Sequence, residues 1–293
     1  MIRKIIKLVI GLFLFIGVCQ FSFAQNRVME MGKSLQSELQ RLASNPSEIW
    51  LCAHRGNTHE GIQNGIPENS VEAIQQAIAA GANIVEIDVR TTADRYFVLM
   101  HDTTINRTTN ASGNVKDKTL AQLKTYRLRA ANGTLTNCTI PTLEKALLAG
   151  RGKIFFNLDK IDEVNNIRRL VTLVDSLHML DRTIFYVSTD RDIGSEIKNV
   201  NAKSIVFPWV SSVSDINFWM NPQIVHINYQ LATATAIITA AREKGAITFA
   251  NSLWSAGDSA VLQNDFSYID KMKEMQLQVI QTDYMEIIKN YLK

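Results

Sequence analysis

Strand-like and helix-like segments alternate along this chain about eight times, and that alternation restricts the fold more than any other feature. Short apolar runs at 50–53, 84–89, 153–158, 183–187, 204–209, 223–228, 246–250 and 277–281 read as strands. Segments with helical spacing lie between them, at 70–80, 142–149, 165–177, 193–199, 214–220, 233–244, 268–276 and 285–292. The first of these puts Val71, Ile74 and Ile78 on one face and stops at Gly81; the second opens after Pro141 and closes at Gly150. Such a series predicts an α/β chain whose parallel strands close into a (β/α)8 barrel. A doubly wound open sheet is the second choice, weakened because no Gly-rich phosphate loop joins a strand to a helix. Two stretches depart from the alternation. An extended run at 96–100 follows the second strand, and residues 103–139, polar and rich in Asn and Thr, read as a small insertion.

The first 24 residues are expected to lie outside this fold. Arg3, Lys4 and Lys7 precede an apolar run from Leu8 to Val18, and Ser22-Phe23-Ala24 is a small-x-small cleavage site. These are the three regions of a secretory signal peptide, and the apolar run is short of the roughly 20 residues of a membrane span. The expectation is cleavage near Ala24, a helical lead-in over 25–48, and a single domain over 49–293, exported to the periplasm or secreted. Lipid anchoring at Cys19 is the weaker alternative, because Val18 is large for the position before a lipidated cysteine. Loss of residues 1–24 removes three of the 31 Lys and Arg and none of the 28 Asp and Glu, leaving no net charge. A balanced chain lacks the basic stripe of a nucleic-acid binder, and no second long apolar segment predicts a membrane span in the mature chain. Cys52 and Cys138 could pair after export, but Cys52 sits in an apolar strand and reads as a small buried hydrophobe.

The chemistry-bearing residues cluster in the first half. His54-Arg55-Gly56 ends the first strand, and Pro67-Glu68-Asn69-Ser70 precedes the first barrel helix, with Asn69 or Ser70 as its N-cap. Glu86 and Asp88 are two apart in the second strand, where side chains at i and i+2 share a face. Two carboxylates pointing the same way seek a cation. His101-Asp102 ends the next extended run and Asp159-Lys160 the third strand, at the end of a barrel where active sites form. His59, His178 and His226 have no motif context and read as ordinary residues; Trp209, Tyr229 and Trp254, at or after strand ends, read first as packing aromatics.

Together, His54-Arg55-Gly56, Pro67-Glu68-Asn69-Ser70, Glu86-Ile87-Asp88-Val89, Val98-Leu99-Met100-His101-Asp102, Arg107-Thr108-Thr109, Ile140-Pro141-Thr142-Leu143 and Thr282-Asp283 resemble the glycerophosphodiester phosphodiesterases. Each run is weak alone; their order and spacing are specific, and they cover nearly the whole chain after the signal. The resemblance implies hydrolysis of a glycerophosphodiester, a small-molecule substrate, to glycerol 3-phosphate and an alcohol. It implies His54 and His101 as acid and base, Arg55 and Lys160 on the phosphate, and Glu86, Asp88 and Asp159 on a divalent metal. Glu68, Asn69 and Asp102 would support them. Carboxylate oxygens suit Ca²⁺ or Mg²⁺ better than Zn²⁺. Cleavage of an intact phospholipid or an inositol diester on the same barrel, or head-group binding without catalysis, are the alternatives. One departure stands out. The family pattern has a Glu at the end of the third strand and a Lys two residues on, whereas here Asp159 and Lys160 are adjacent, so a regular strand would send Lys160 to the opposite face: either the strand ends or bulges there, or Lys160 is not the phosphate ligand.

Overall fold

A computed structural model describes residues 33–161, 166–219, 222–253 and 257–293. The signal segment, Cys19 and Trp254 lie outside the described residues. The described residues open with α1 (Leu35–Ala43), β1 (Trp50–Ala53), α2 (His59–Gln63), α3 (Val71–Ala80), β2 (Ile84–Thr91) and β3 (Phe97–Leu99). The insertion carries α4 (Leu120–Leu123), β4 (Arg127–Arg129) and β5 (Leu135–Thr139). There follow α5 (Leu143–Gly150), β6 (Phe155–Asp159), α6 (Ile167–Ser176), β7 (Thr183–Ser188), α7 (Arg191–Val200), β8 (Ile205–Val210) and α8 (Val213–Phe218). The chain ends with β9 (Ile224–Ile227), α9 (Ala234–Glu243), β10 (Ile247–Asn251), α10 (Asp258–Val261), α11 (Ser267–Glu274), β11 (Val279–Thr282) and α12 (Met285–Tyr291).

Strand β1 pairs in parallel with both β2 and β11, which closes the sheet and excludes the open doubly wound alternative. The eight barrel strands run β1, β2, β6, β7, β8, β9, β10, β11 around the ring, while β3 lies antiparallel on the end of β2. Residue alternation along each strand sorts side chains between two cores. Val85, Ile87 and Val89 of β2, or Phe156 and Leu158 of β6, face the helices. Their neighbours face the barrel axis, and there the character changes with height. Trp50, Ile84, Phe155, Ile184, Ile205, Ile224, Ile247 and Val279 form an apolar floor. One step further along the strands the polar Glu86, Asn157, His226 and Gln281 join Cys52, Tyr186, Phe207 and Phe249 on the inward face. The polar chemistry is thereby confined to the C-terminal half of the barrel.

Helix α1 closes the floor. Leu35, Leu39 and Leu42, spaced for one helical face, are buried against the apolar layer, and Gln278 donates through Nε2 to the Leu42 carbonyl at 2.7 Å. Helix α3 starts where a helix should: Ser70 is the N-cap, accepting from Ala73 N at 2.9 Å, and Gly81 (φ 83°) ends it in the left-handed region. The insertion has an apolar core of its own, in which Ile105, Val115, Leu120, Leu123 and Leu128 pack on Val98 and Met100. Cys52 and Cys138 are both free thiols.

Candidate active site

The C-terminal end of β1 runs directly into a tight turn. Arg55 (φ 55°) and Gly56 (φ 75°) both occupy the left-handed region. A Cβ on Gly56 would lie 2.9 Å from the Ala73 Cβ, so the turn can sit this close to α3 only with glycine there. The turn aims two groups into the barrel mouth. His54 Nδ1 lies 2.9 Å from Asp283 Oδ1, just beyond β11, and Asn57 Nδ2 donates to the same oxygen at 3.0 Å. Burial works to raise the Asp283 carboxyl, but the bonds from His54 and Asn57 and the charge of Arg55 hold it below its usual range. Asp283 is itself fixed: its N–H donates to Asp258 Oδ2 at 2.8 Å, and Asp258 Oδ1 accepts from Ser252 and Thr282 hydroxyls.

Beside this turn, three carboxylates converge. Glu86 and Asp88 of β2 and Asp159 of β6 bring one oxygen each within 4.8 Å of one another, with Glu86 and Asp88 both 1% exposed. The strand register sets Asp88 opposite Asp159. Asn69, itself left-handed at φ 53°, grips Asp88 from two sides: Nδ2 donates to Oδ2 at 2.7 Å and Oδ1 accepts from Asp88 N at 3.0 Å. Arg55 N donates to Glu86 Oε2 at 2.8 Å. Burial, then the charges of Asp88 and Asp159, push the Glu86 carboxyl well above its usual value, opposed by the Arg55 N–H. Two buried carboxylates and a half-buried third, mutually repelling and with oxygen donors only, are what a hard divalent cation would relieve. The arrangement therefore fits such an ion. Arg55 Nε supplies a second unsatisfied group, buried with no hydrogen-bond partner and 3.6 Å from Asp88 Oδ2.

His101 follows β3. Met100 N bonds to the Asp88 carbonyl at 3.1 Å, and Arg90 donates to the His101 carbonyl, which ties this segment to the carboxylate strand. His101 Nδ1 lies 2.7 Å from Asp102 Oδ1. The Arg107 guanidinium, more than any other neighbour, holds the Asp102 carboxyl well below the usual range. Glu68 accepts from Arg55 Nη1 at 3.1 Å and from Arg107 at 2.7 and 3.0 Å. Burial works to raise the Glu68 carboxyl; the two arginines more than offset it and leave it lowered.

A cavity of about 270 Å³ opens next to Asp159 along the barrel axis. Its walls include Tyr186, Phe207, Trp209, His226 and Phe249, with Asn157, Asn251 and Gln281 among the polar groups. His226 is ringed by the aromatics, its centroid 4.5 Å from that of Trp209 and 5.4 Å from that of Phe249. Burial pushes its pKa down to about 3, so its imidazole is neutral at any physiological pH. The Asn157 and Asn251 side-chain oxygens are buried there without hydrogen-bond partners.

The candidate site residues His54, Arg55, Glu68, Asn69, Glu86, Asp88, His101, Asp102, Asp159 and Lys160 gather at this one end of the barrel. Backbone geometry decides the direction of Lys160: β6 stops at Asp159 and Lys160 turns into the left-handed region (φ 58°), its N–H bonding to Asp159 Oδ1 at 2.5 Å. Lys160 then lines the same cavity as Asp159 instead of facing away from it. Asn69 is not the helix cap. Sequence reading missed His226, whose one signal was its inward position in β9, and Asn57 and Asp258, which had none. Trp209 stands against the His226 ring in the cavity wall.

Comparison with known proteins bears on the family and the fold. The model of the glycerophosphoryl diester phosphodiesterase family matches residues 54–287. Glycerophosphodiester phosphodiesterase 1 of Rattus norvegicus is 42% identical over 117 residues, 38% of this chain and 34% of that protein. A glycerophosphodiester phosphodiesterase of Caldanaerobacter subterraneus subsp. tengcongensis is 44% identical over 74 residues, 25% of this chain and 28% of that protein. The matched stretch thus spans only about a third of the length of these curated relatives. Among solved structures, a glycerophosphoryl diester phosphodiesterase from Parabacteroides distasonis superposes with a TM-score of 0.75 at 24% identity, covering 86% of this chain and 90% of that one. An Oleispira antarctica phosphodiesterase, solved with its product sn-glycerol-3-phosphate, gives 0.66 at 22% identity over 82% of this chain and 95% of that one. At such identities the structures establish the (β/α)8 fold, while the family model spans the barrel from the His54 turn to α12: the chain belongs to the glycerophosphoryl diester phosphodiesterase family.

Proposed function

We propose that this chain is an exported, metal-dependent phosphodiesterase that hydrolyses glycerophosphodiesters to glycerol 3-phosphate and an alcohol. The observation that carries the reading is the pair of histidines presented beside the carboxylate strand β2 from the ends of β1 and β3, each with Nδ1 held by a carboxylate kept ionised. An ionised partner keeps the proton on Nδ1, so Nε2 is the atom left to exchange protons with substrate. One imidazole takes the proton from the attacking hydroxyl while the other gives one to the departing alkoxide oxygen. The attacking group is water, or the 2-hydroxyl of the glycerol itself, which would give a cyclic phosphate for water to open.

Glu86, Asp88 and Asp159 would hold the divalent cation, Ca²⁺ or Mg²⁺, which when bound supplies positive charge to the phosphoryl oxygens. Arg55 brings the unpartnered Nε to the same place, and Lys160 a second cation from the cavity wall. The glycerol would enter the cavity beside Asp159. Its volume lies below the about 300–1,000 Å³ typical of larger ligands, and its unpartnered amide oxygens and neutral imidazole offer hydrogen bonds to hydroxyls without adding charge. The alcohol then faces the open mouth.

The test is turnover of glycerophosphocholine, glycerophosphoethanolamine and glycerophosphoinositol by purified protein, with Ca²⁺, with Mg²⁺ and with chelator. Metal-dependent release of glycerol 3-phosphate that is lost in His54→Ala is the expected result. A folded, metal-binding protein that turns over none of these diesters would overturn it and favour an intact lipid or a binding role.

A further inference from the structure

Arg107 stands outside the barrel, in the insertion, yet it touches both halves of the site. The segment bearing it is anchored by burial and hydrogen bonds. Ile105 is fully buried in the insertion core. Thr109 Oγ1 donates to the Ile105 carbonyl at 2.7 Å, Thr108 Oγ1 to Met100 Sδ at 3.1 Å, and Arg129 N to the Thr108 carbonyl at 2.7 Å. From this base the guanidinium forks between two carboxylates on different segments. Nε donates to Asp102 Oδ2 at 2.9 Å and Nη2 to Asp102 Oδ1 at 3.0 Å. Nη1 donates to Glu68 Oε2 at 3.0 Å and Nη2 to Glu68 Oε1 at 2.7 Å. Each carboxylate passes one of those same oxygens on: Asp102 Oδ1 to His101 Nδ1, and Glu68 Oε1 to Arg55 Nη1. A continuous chain of contacts therefore runs His101, Asp102, Arg107, Glu68, Arg55.

Stability does not explain this arrangement. The Arg107 side chain is 46% exposed, so solvent screens these pairs heavily. What a planar fork with both edges engaged does supply is orientation. The Asp102 carboxylate is locked in the plane that presents it to His101, and the Glu68 carboxylate in the plane that presents it to Arg55.

We propose that Arg107 is a positioning residue that sets His101 through Asp102 and Arg55 through Glu68, so that one guanidinium from the insertion aligns the proton-transfer group with the phosphate ligand. This inference rests on the phosphodiesterase reading. It also gives the insertion a role, as the platform from which the site is aligned.

The experiment compares wild type, Arg107→Ala, Arg107→Lys, Asp102→Asn and the Arg107→Ala/Asp102→Asn pair, with glycerophosphocholine as substrate and saturating metal. Misalignment of reacting groups by about an ångström costs up to roughly 100-fold in rate. Arg107→Ala should therefore lower kcat about 10- to 100-fold, and Arg107→Lys should recover little, because an ammonium cannot bridge both carboxylates. Asp102→Asn should cost far less in the Arg107→Ala background than alone, and added guanidinium ion should restore part of the Arg107→Ala activity. An active wild type with Arg107→Ala within twofold of its kcat, full activity in Arg107→Lys, or additive losses in the pair would each overturn the proposal. Should the wild type itself turn over no diester, the phosphodiesterase reading fails, and the imidazole ¹⁵N spectrum of His101 decides the positioning. A sharp Nδ1–H signal that broadens by exchange in Arg107→Ala supports it; identical spectra refute it.

Discussion

Replacing Asp258 with Asn should change how stability depends on pH. Asp258 is 4% exposed and accepts three hydrogen bonds, from Ser252 Oγ at 2.6 Å, Thr282 Oγ1 at 2.7 Å and Asp283 N at 2.8 Å. Burial nevertheless dominates and raises its carboxyl from 3.8 to about 6. The folded protein thus holds this proton more tightly than the unfolded chain does. The stabilisation from that proton is fully present below the unfolded value of 3.8 and is lost as the pH rises through about 6. At about 1.4 kcal/mol per pH unit, the separation amounts to ~3 kcal/mol as an upper bound, since the surrounding loop can relax. Asp258→Asn keeps the shape and removes the titration. Urea unfolding of both proteins between about pH 4 and pH 7 separates the difference from titrating groups that do not touch Asp258. The wild type should lose roughly 2–3 kcal/mol relative to the variant across that window. Parallel stability curves would refute the reasoning, because they would mean that the buried carboxyl titrates alike in both states.

On the proposed metal site, Ca²⁺ or Mg²⁺ should raise the melting temperature of the wild type by the equivalent of about 2.7 kcal/mol at a hundredfold excess over Kd, and Glu86→Gln should abolish that rise; equal rises in scanning calorimetry would remove Glu86 from the proposed site. Leu39→Ala, at a side chain 2% exposed on the barrel floor, should destabilise the protein by about 2–4 kcal/mol in chemical denaturation while leaving the metal-induced stabilisation intact; a loss under about 0.5 kcal/mol would mean that α1 does not pack as described.

The barrel and its carboxylate pair were legible because strand geometry has a period of two. Glu86 and Asp88 had to share a face, and the alternating strand and helix signals left few ways to bury so many apolar strands. Legibility failed where the backbone leaves regular geometry without glycine. Lys160 at φ 58° carries no local signal for that conformation, so its place on the phosphate stood against the opposite face that a regular strand would give it, while Asn69 at φ 53° read both as a supporting site residue and as one of two possible helix caps. The insertion read as polar because its apolar positions, such as Ile105 and Leu128, are spread thinly among Asn and Thr and meet only in three dimensions. His226 was passed over for the opposite reason: nothing in the run Ile224-Val225-His226-Ile227 separates a lining imidazole from a core one until the barrel closes around it.

The contact between His54 and Asp283 joins residues 229 positions apart, from the first barrel strand to just beyond the last. Its existence depends on β1 finding β11 in register, Trp50 beside Val279 and Ala53 beside Thr282. Closing so long a loop comes late and slowly in folding. A partly wound barrel can therefore assemble Glu86, Asp88 and Asp159 on adjoining strands while His54 still lacks the carboxylate that orients it. On the acid–base role proposed for His54, competence arrives with the final strand, and recovery of activity after denaturation should time ring closure itself, a step that secondary-structure probes would pass over.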